Sequence, residues 1–234
     1  MIYRALIPVK ALDEAKSRLA GHMTLHQRKN LVLDMLHHVL HVLQQSNLLD
    51  QITVVSPDIR VLDFAQTWGV RALVEEMPGH NAALHAAALQ EQEAGTTALL
   101  TISGDLPLLQ PSDIRALIER SLRYPVVLAP SRDGTGTNAL LVQPPLALPY
   151  LFGVNSLYKY VRAAKERQLG STIYNSIGLA LDIDTIDDLD DLYELQVLSG
   201  EKIRSWPATH RENSYGDSEE CLASFSATVE VYQE

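Results

Sequence analysis

Thr97-Ala98-Leu99-Leu100-Thr101-Ile102-Ser103-Gly104-Asp105-Leu106-Pro107 reads as a strand buried on both faces that stops at Gly-Asp. A continuous apolar run of this length, rather than an alternating one, belongs inside a parallel sheet covered by helices. In such sheets, ligands bind at the carboxyl ends of the strands, so Asp105 is expected at the ligand edge. An aspartate in this position can also serve only to cap a turn.

A second acidic element strengthens the first reading. Asp182-Ile183-Asp184-Thr185 follows another apolar run, 177–181, which reads as a further strand. Strand periodicity would put Asp182 and Asp184 on one side, and two like charges held together need a cation between them. Asp105, Asp182 and Asp184 are therefore candidate ligands for one or two Mg²⁺ ions, which prefer oxygen donors shared with substrate phosphates. Asp187, Asp188, Asp190 and Asp191 open a helix instead, where negative charge complements the dipole.

Strand-length and helix-length segments alternate along the chain. Strands are expected at 3–9, 52–56, 70–74, 97–103, 125–129 and 138–142, and helices at 24–43, 59–68, 81–93, 114–122, 157–167 and 187–198. Asn81 is read as the cap of the third helix, Asn155 or Ser156 as the cap of the fifth. The 24–43 segment carries Leu25, Leu31, Leu33, Leu36, Val39, Leu40 and Leu43 as its apolar stripe. This alternation predicts an α/β fold with a mostly parallel sheet flanked by helices. Residues 1–200 would form one domain. Residues 201–234, with one candidate strand at 227–232, would form a tail that is mobile or packs on the domain or a neighbouring subunit.

A formal charge of −10 argues against a general nucleic-acid binder, because such binding rests on neutralising phosphates with Lys and Arg. No apolar stretch reaches the roughly 18 residues of a membrane span. The direct entry into Tyr3–Pro8 offers no leader pattern, and a cytoplasmic protein is expected. Cys221 is the only cysteine, which excludes an internal disulfide and a cysteine-based zinc site.

Basic residues nevertheless gather early. Pro8-Val9-Lys10 and Ala15-Lys16-Ser17-Arg18-Leu19 give three cations within nine residues, directly after the first strand. That suits a triphosphate cradle. It also fits a surface helix with Glu14 and Arg18 paired. Gly134-Thr135-Gly136-Thr137-Asn138 would let backbone approach a small anion while hydroxyls donate, and Phe152-Gly153-Val154-Asn155-Ser156 opens a helix whose free N–H groups suit a second anion. Each is also compatible with a plain hairpin loop or helix cap. His80 lies at a helix start and is expected near ligand, whereas His37, His38 and His41 read as ordinary helix surface or satisfied interior groups.

In order, Pro8-Val9-Lys10, Ala15 to Leu19, Gly79-His80-Asn81-Ala82-Ala83-Leu84, Gly104 to Leu108, Gly134 to Leu140, Phe152-Gly153 with Ser156, and Leu181 to Thr185 resemble one family. It is the 2-phospho-L-lactate or phosphoenolpyruvate guanylyltransferases of coenzyme F-420 biosynthesis. The resemblance implies the nucleotide-diphospho-sugar transferase fold, GT-A-like and Rossmann-like, shared with molybdenum-cofactor guanylyltransferases. It implies a Mg²⁺-dependent reaction of GTP with a phosphorylated three-carbon acid: phosphoenolpyruvate, with 2-phospho-L-lactate or 3-phosphoglycerate as alternatives. Pro8, Lys10, Lys16, Arg18, Gly79, Asn81 and Gly104 would meet the nucleotide, and Thr137, Asn138, Gly153 and Ser156 the acid. Lys16, Arg18 and Asp105 would carry the catalysis. A nucleotide-sugar glycosyltransferase and a non-catalytic nucleotide-binding regulator are the rival classes, and a homodimer is left open.

Overall fold

The computed structural model describes residues 1–77 and 79–199, with side chains to residue 195. The expected tail and its strand lie outside the described residues. Among those residues, no helix is long and apolar enough to cross a membrane.

Among the described residues, seven strands form a single sheet: β1 (Tyr3–Pro8), β2 (Gln51–Ser56), β3 (Arg71–Val74), β4 (Ala98–Ile102), β5 (Val126–Pro130), β6 (Thr137–Val142) and β7 (Ser171–Ile173). Their spatial order is β3-β2-β1-β4-β6-β5-β7. The β1–β2, β2–β3, β1–β4 and β5–β7 pairs are parallel, and the β4–β6 and β5–β6 pairs antiparallel. The expectation of a mostly parallel sheet is met. β4 is buried at every position, as its unbroken apolar run requires.

Among the described residues, seven α-helices cover the sheet: α1 (Leu25–Ser46), α2 (Ile59–Thr67), α3 (His80–Glu93), α4 (Pro111–Ser121), α5 (Ser156–Glu166), α6 (Ile177–Ala180) and α7 (Ile186–Ser199). Thr24 starts α1 through a reciprocal cap, with Gln27 N donating to its hydroxyl at 3.2 Å and Thr24 N to Gln27 Oε1 at 2.9 Å. Of the stripe read for α1, Leu31, Leu36, Val39, Leu40 and Leu43 are buried, but Leu25 is 41% exposed in the first turn. Leu36, Val39, Leu40 and Leu43 pack with Ile7, Val54, Leu100 and Ile114 in the main core.

Three expectations need correction. Asn81 does not cap α3: Gly79 does, at φ +97°, and Asn81 sits one residue inside. Residues 12–16 form turns and Ser17–Leu19 a single 3-10 turn, so no surface α-helix pairs Glu14 with Arg18. The run 177–181 is not a strand but the short α6 plus an irregular stretch. Ser176 Oγ accepts Gly178 N there at 3.2 Å, and the strand paired with β5 is β7, upstream of the run. Apolar composition alone does not separate a buried strand from a buried helical turn.

Antiparallel β6 positions the site. Because it runs against β4, its first residues lie beside the end of β4, with Ala139 opposite Ile102 and Ser103 N donating to Asn138 O at 2.8 Å. The loops after β1 and β4 therefore meet the start of β6 on one edge.

Candidate active site

An open cavity of about 550 Å³ lies along that edge, within the size range of small-molecule sites. Pro8, Lys10, Lys16 and Arg18 line it from the loop after β1, and Gly104 and Asp105 from the loop after β4. Thr137 and Asn138 enter from β6, Gly153 from the turn before α5, and Asp182 and Asp184 from the segment before α7. Most of the residues picked from sequence thus converge on one place. Gly79, Asn81 and Ser156 stand outside its lining, while His80, Ser103 and Phe152 belong to it. Gly104 makes a close approach necessary: a Cβ there would lie 3.2 Å from Ile7 Cγ2.

One oxygen from each of Asp105, Asp182 and Asp184 falls within 4.8 Å of the others. The strand reading behind this pairing was wrong, yet its alternation survives. Leu181 and Ile183 are buried in a small core with Leu19, Leu31 and Met35, so the two aspartates between and after them face the cavity. Ile183 N donates to Asp105 O at 3.4 Å, stitching the two acidic segments together.

Each carboxylate is held by neighbours. Asp105 accepts Ser103 Oγ at 2.6 Å and pairs through its other oxygen with Lys16 Nζ. Lys16 Nζ also reaches Asp184 Oδ1 at 3.1 Å, and Arg18 lies 3.6 Å from Asp184 Oδ2. Asn138 Nδ2 donates to Asp182 Oδ1 at 3.1 Å, and to the carbonyls of Leu179 and Ala180 at 3.0 and 3.2 Å. Asn138 thus straps Asp182 in place.

Charge balance follows from burial. Burial is the largest influence on Asp105 and pushes its pKa up, but the Lys16 charge and the bonds from Lys16 and Ser103 bring it below the ordinary value. Lys16 mirrors this: burial pulls its pKa down, and Asp105 and Asp184 raise it overall. Asp182 makes no ion pair among the described residues and is pushed up to about 6, mainly by burial, then by the neighbouring Asp105 and Asp184. An excess of negative oxygens with a single buried ammonium between two of them is an electrostatic setting that favours a divalent cation. The residues fit a divalent cation.

The loop after β1 is clasped from outside. Leu12 N donates to Asp58 Oδ2 at 2.9 Å, and Arg60 bridges Asp58 and Asp13 at 2.6 and 2.8 Å. Lys29 pairs with Asp13 at 2.5 Å, and Arg28 donates to Ala15 O at 2.8 Å. Lys16 itself takes a left-handed φ of +52°, uncommon for a residue with a side chain. Asp58 also caps α2, its Oδ1 accepting Arg60 N at 3.0 Å.

At the other end, Ser156 Oγ donates to Thr137 Oγ1 at 3.0 Å, and both are buried. Gly153 has φ +116° with open space where a Cβ would be, so glycine serves the backbone there, not the packing. His80 lies edge-on to Phe152 at 5.7 Å, and its pKa is lowered by burial and then by Lys10. His38 is buried with Nε2 3.0 Å from Leu109 O, and His37 stacks on Trp68 at 4.0 Å. Both lie away from the cavity.

Residues 3–205 match the family described as "Guanylyl transferase CofC like". The chain belongs to this family. It is 39% identical over 186 residues to a phosphoenolpyruvate guanylyltransferase of Rubrobacter xylanophilus, covering 79% of this chain and 90% of the relative. Likewise, it is 33% identical over 198 residues to a 2-phospho-L-lactate guanylyltransferase of Methanothermobacter thermautotrophicus, covering 84% and 85%. A solved structure from Desulfovibrio desulfuricans G20, described as a candidate nucleotide-diphospho-sugar transferase, superposes at a TM-score of 0.73 over 99% of both chains with 15% identity. That likeness bears out the expected fold, and this guanylyltransferase-family chain is an enzyme of the nucleotidyltransferase kind.

Proposed function

We propose that this chain joins GMP from GTP to phosphoenolpyruvate in a Mg²⁺-dependent reaction that serves coenzyme F-420 biosynthesis. A phosphate oxygen of the acid attacks the α-phosphorus of GTP in line. The bond from that phosphorus to the bridging oxygen breaks, and pyrophosphate leaves, giving enolpyruvyl-diphosphoguanosine. The attacking oxygen is already anionic near neutral pH, since a phosphate monoester loses its second proton near pH ~6. No general base is needed, and positioning with charge neutralisation does the catalysis.

The observation that carries this reading is the gathering of Asp105, Asp182 and Asp184 around one point on the cavity wall. These carboxylates would hold Mg²⁺. Bound there, the ion would supply neutralisation of charge on the reacting phosphates. Lys10, Lys16 and Arg18 would meet the triphosphate and steady the departing pyrophosphate, with Pro8, Gly79 and Gly104 shaping the nucleotide side. Thr137, Asn138, Gly153 and Ser156 would hold the acid, directly or through one another. Phosphoenolpyruvate is favoured over 2-phospho-L-lactate by the higher identity to the relative named for it, 39% against 33%. Residues 1–200 would suffice for the chemistry.

The test incubates purified protein with Mg²⁺, each nucleoside triphosphate and each of the three acids, and identifies products by mass. A guanylylated acid with stoichiometric pyrophosphate supports the reading. Transfer of a sugar from a nucleotide-sugar, or GTP binding with no product from any acid, defeats it.

A further inference from the structure

Asn81 spends both ends of its carboxamide on one residue 71 positions later. Its Nδ2 donates to Phe152 O at 3.1 Å, and its Oδ1 accepts from Phe152 N at 3.0 Å. Donor meets acceptor at each end, so the orientation of the amide follows from its partners. The two bonds grip the two peptide groups on either side of Phe152 and limit both of its backbone dihedrals.

Peptide planarity carries this grip one residue further. The Phe152 carbonyl and the Gly153 N–H belong to one trans peptide and point in opposite directions. With the carbonyl held toward Asn81, the Gly153 N–H is aimed away from α3. Gly153 lines the cavity and Asn81 does not. Among the described residues, the Gly153 N–H meets no acceptor. Other contacts brace the same turn: Leu151 N donates to Tyr160 Oη at 2.9 Å, Phe152 packs edge-on against Tyr160 at 5.4 Å, and Ser156 N donates to Gly153 O at 3.0 Å.

We propose that Asn81 is a positioning residue that aims the Gly153 N–H at the anionic end of the acceptor acid. It touches neither substrate. The sequence reading gave Asn81 to the nucleotide; the side chain's two bonds give it to the acceptor's turn. This inference rests on the proposed reaction, because the acceptor it serves is defined there.

The test combines steady-state kinetics with amide hydrogen exchange on the full chain. Asn81→Ala is expected to raise KM for phosphoenolpyruvate about tenfold, with KM for GTP within about twofold and kcat at saturating acid within about threefold. Asn81→Asp keeps an acceptor for Phe152 N but sets a negative oxygen against Phe152 O, so its acceptor KM should rise at least as far. Exchange at the Phe152 amide should quicken in both variants. In the unaltered protein, adding phosphoenolpyruvate with GTP should slow exchange at Gly153, a readout that does not depend on a variant folding. A rise confined to KM for GTP would return Asn81 to the nucleotide and overturn the inference. So would unchanged exchange at Phe152 in a variant that folds, while the unaltered protein still turns over. If the unaltered protein makes no product with any acid, the proposed reaction itself falls, and the acceptor role of Asn81 with it.

Discussion

Lys16 Nζ donates to Asp184 Oδ1 at 3.1 Å across 168 residues of sequence, and the same ammonium pairs with Asp105. The loop after the first strand and the two acidic segments are thus locked together by one side chain that is only 7% exposed. Two jobs compete for this ammonium: neutralising carboxylates in the substrate-free protein and meeting phosphate during turnover.

Lys16→Met should therefore weaken the protein without metal. Two carboxylates, Asp105 and Asp184, would lose their shared counter-charge, at a cost of about 2 kcal/mol. Thermal unfolding in EDTA should show the loss, and Mg²⁺ should raise Tm more in the variant than in the parent. Equal responses to Mg²⁺ would mean that the ion does not take up the charge left by Lys16.

Asp105→Asn and Asp184→Asn should each lower turnover by on the order of 10²-fold or more, about 3 kcal/mol of transition-state stabilisation. Both variants should keep the fold. Rates like those of the parent would remove these residues from the metal.

How far the site could be read from sequence depends on distance along the chain. Gly104-Asp105 was legible because a fully apolar strand ends there and the carboxyl edge of a sheet is where ligands bind. Asp182 and Asp184 were legible as a pair, although the strand invoked for them is a short helix followed by irregular chain. Buried Leu181 and Ile183 preserve the alternation without any ladder. The clasp of Asp58, Arg60 and Arg28 on the loop after β1 was not legible. Its bonds join elements far apart in sequence, and a single aspartate before a helix reads the same whether or not its second oxygen holds a distant N–H. The bonds of Asn81 to Phe152 were not legible for the same reason, since that partner is fixed only by the fold.

The proton balance of Asp182 gives a pH prediction. Its folded pKa of about 6 lies above the ordinary 3.8, so the folded protein binds more protons than the unfolded chain between those values. Stability from this group is fully present below pH 3.8 and is lost as pH rises through about 6. In EDTA, Tm of the parent should fall relative to Asp182→Asn over that window. A constant difference between the two would contradict the burial of this carboxyl.

Asp58 should behave in the opposite sense. Its carboxyl is held at about 2, chiefly by the Arg60 side chain against the opposing effect of burial, with help from the N–H groups of Leu12 and Arg60. Its contribution is present above pH 3.8 and is lost as pH falls toward about 2. Asp58→Ala removes the cap of α2 and the anchor of Leu12, at about 1–2 kcal/mol. KM for GTP should rise several-fold while KM for the acid holds, which steady-state kinetics would measure. An unchanged KM for GTP would free the loop after β1 from this clasp.

The most direct check is a titration of Mg²⁺ into protein, GTP and phosphoenolpyruvate, with the products weighed by mass spectrometry. The account predicts enolpyruvyl-diphosphoguanosine and pyrophosphate in equal amounts from the parent, and almost none from Asp105→Asn. Equal product from both proteins, or product formed without any divalent ion, would contradict it.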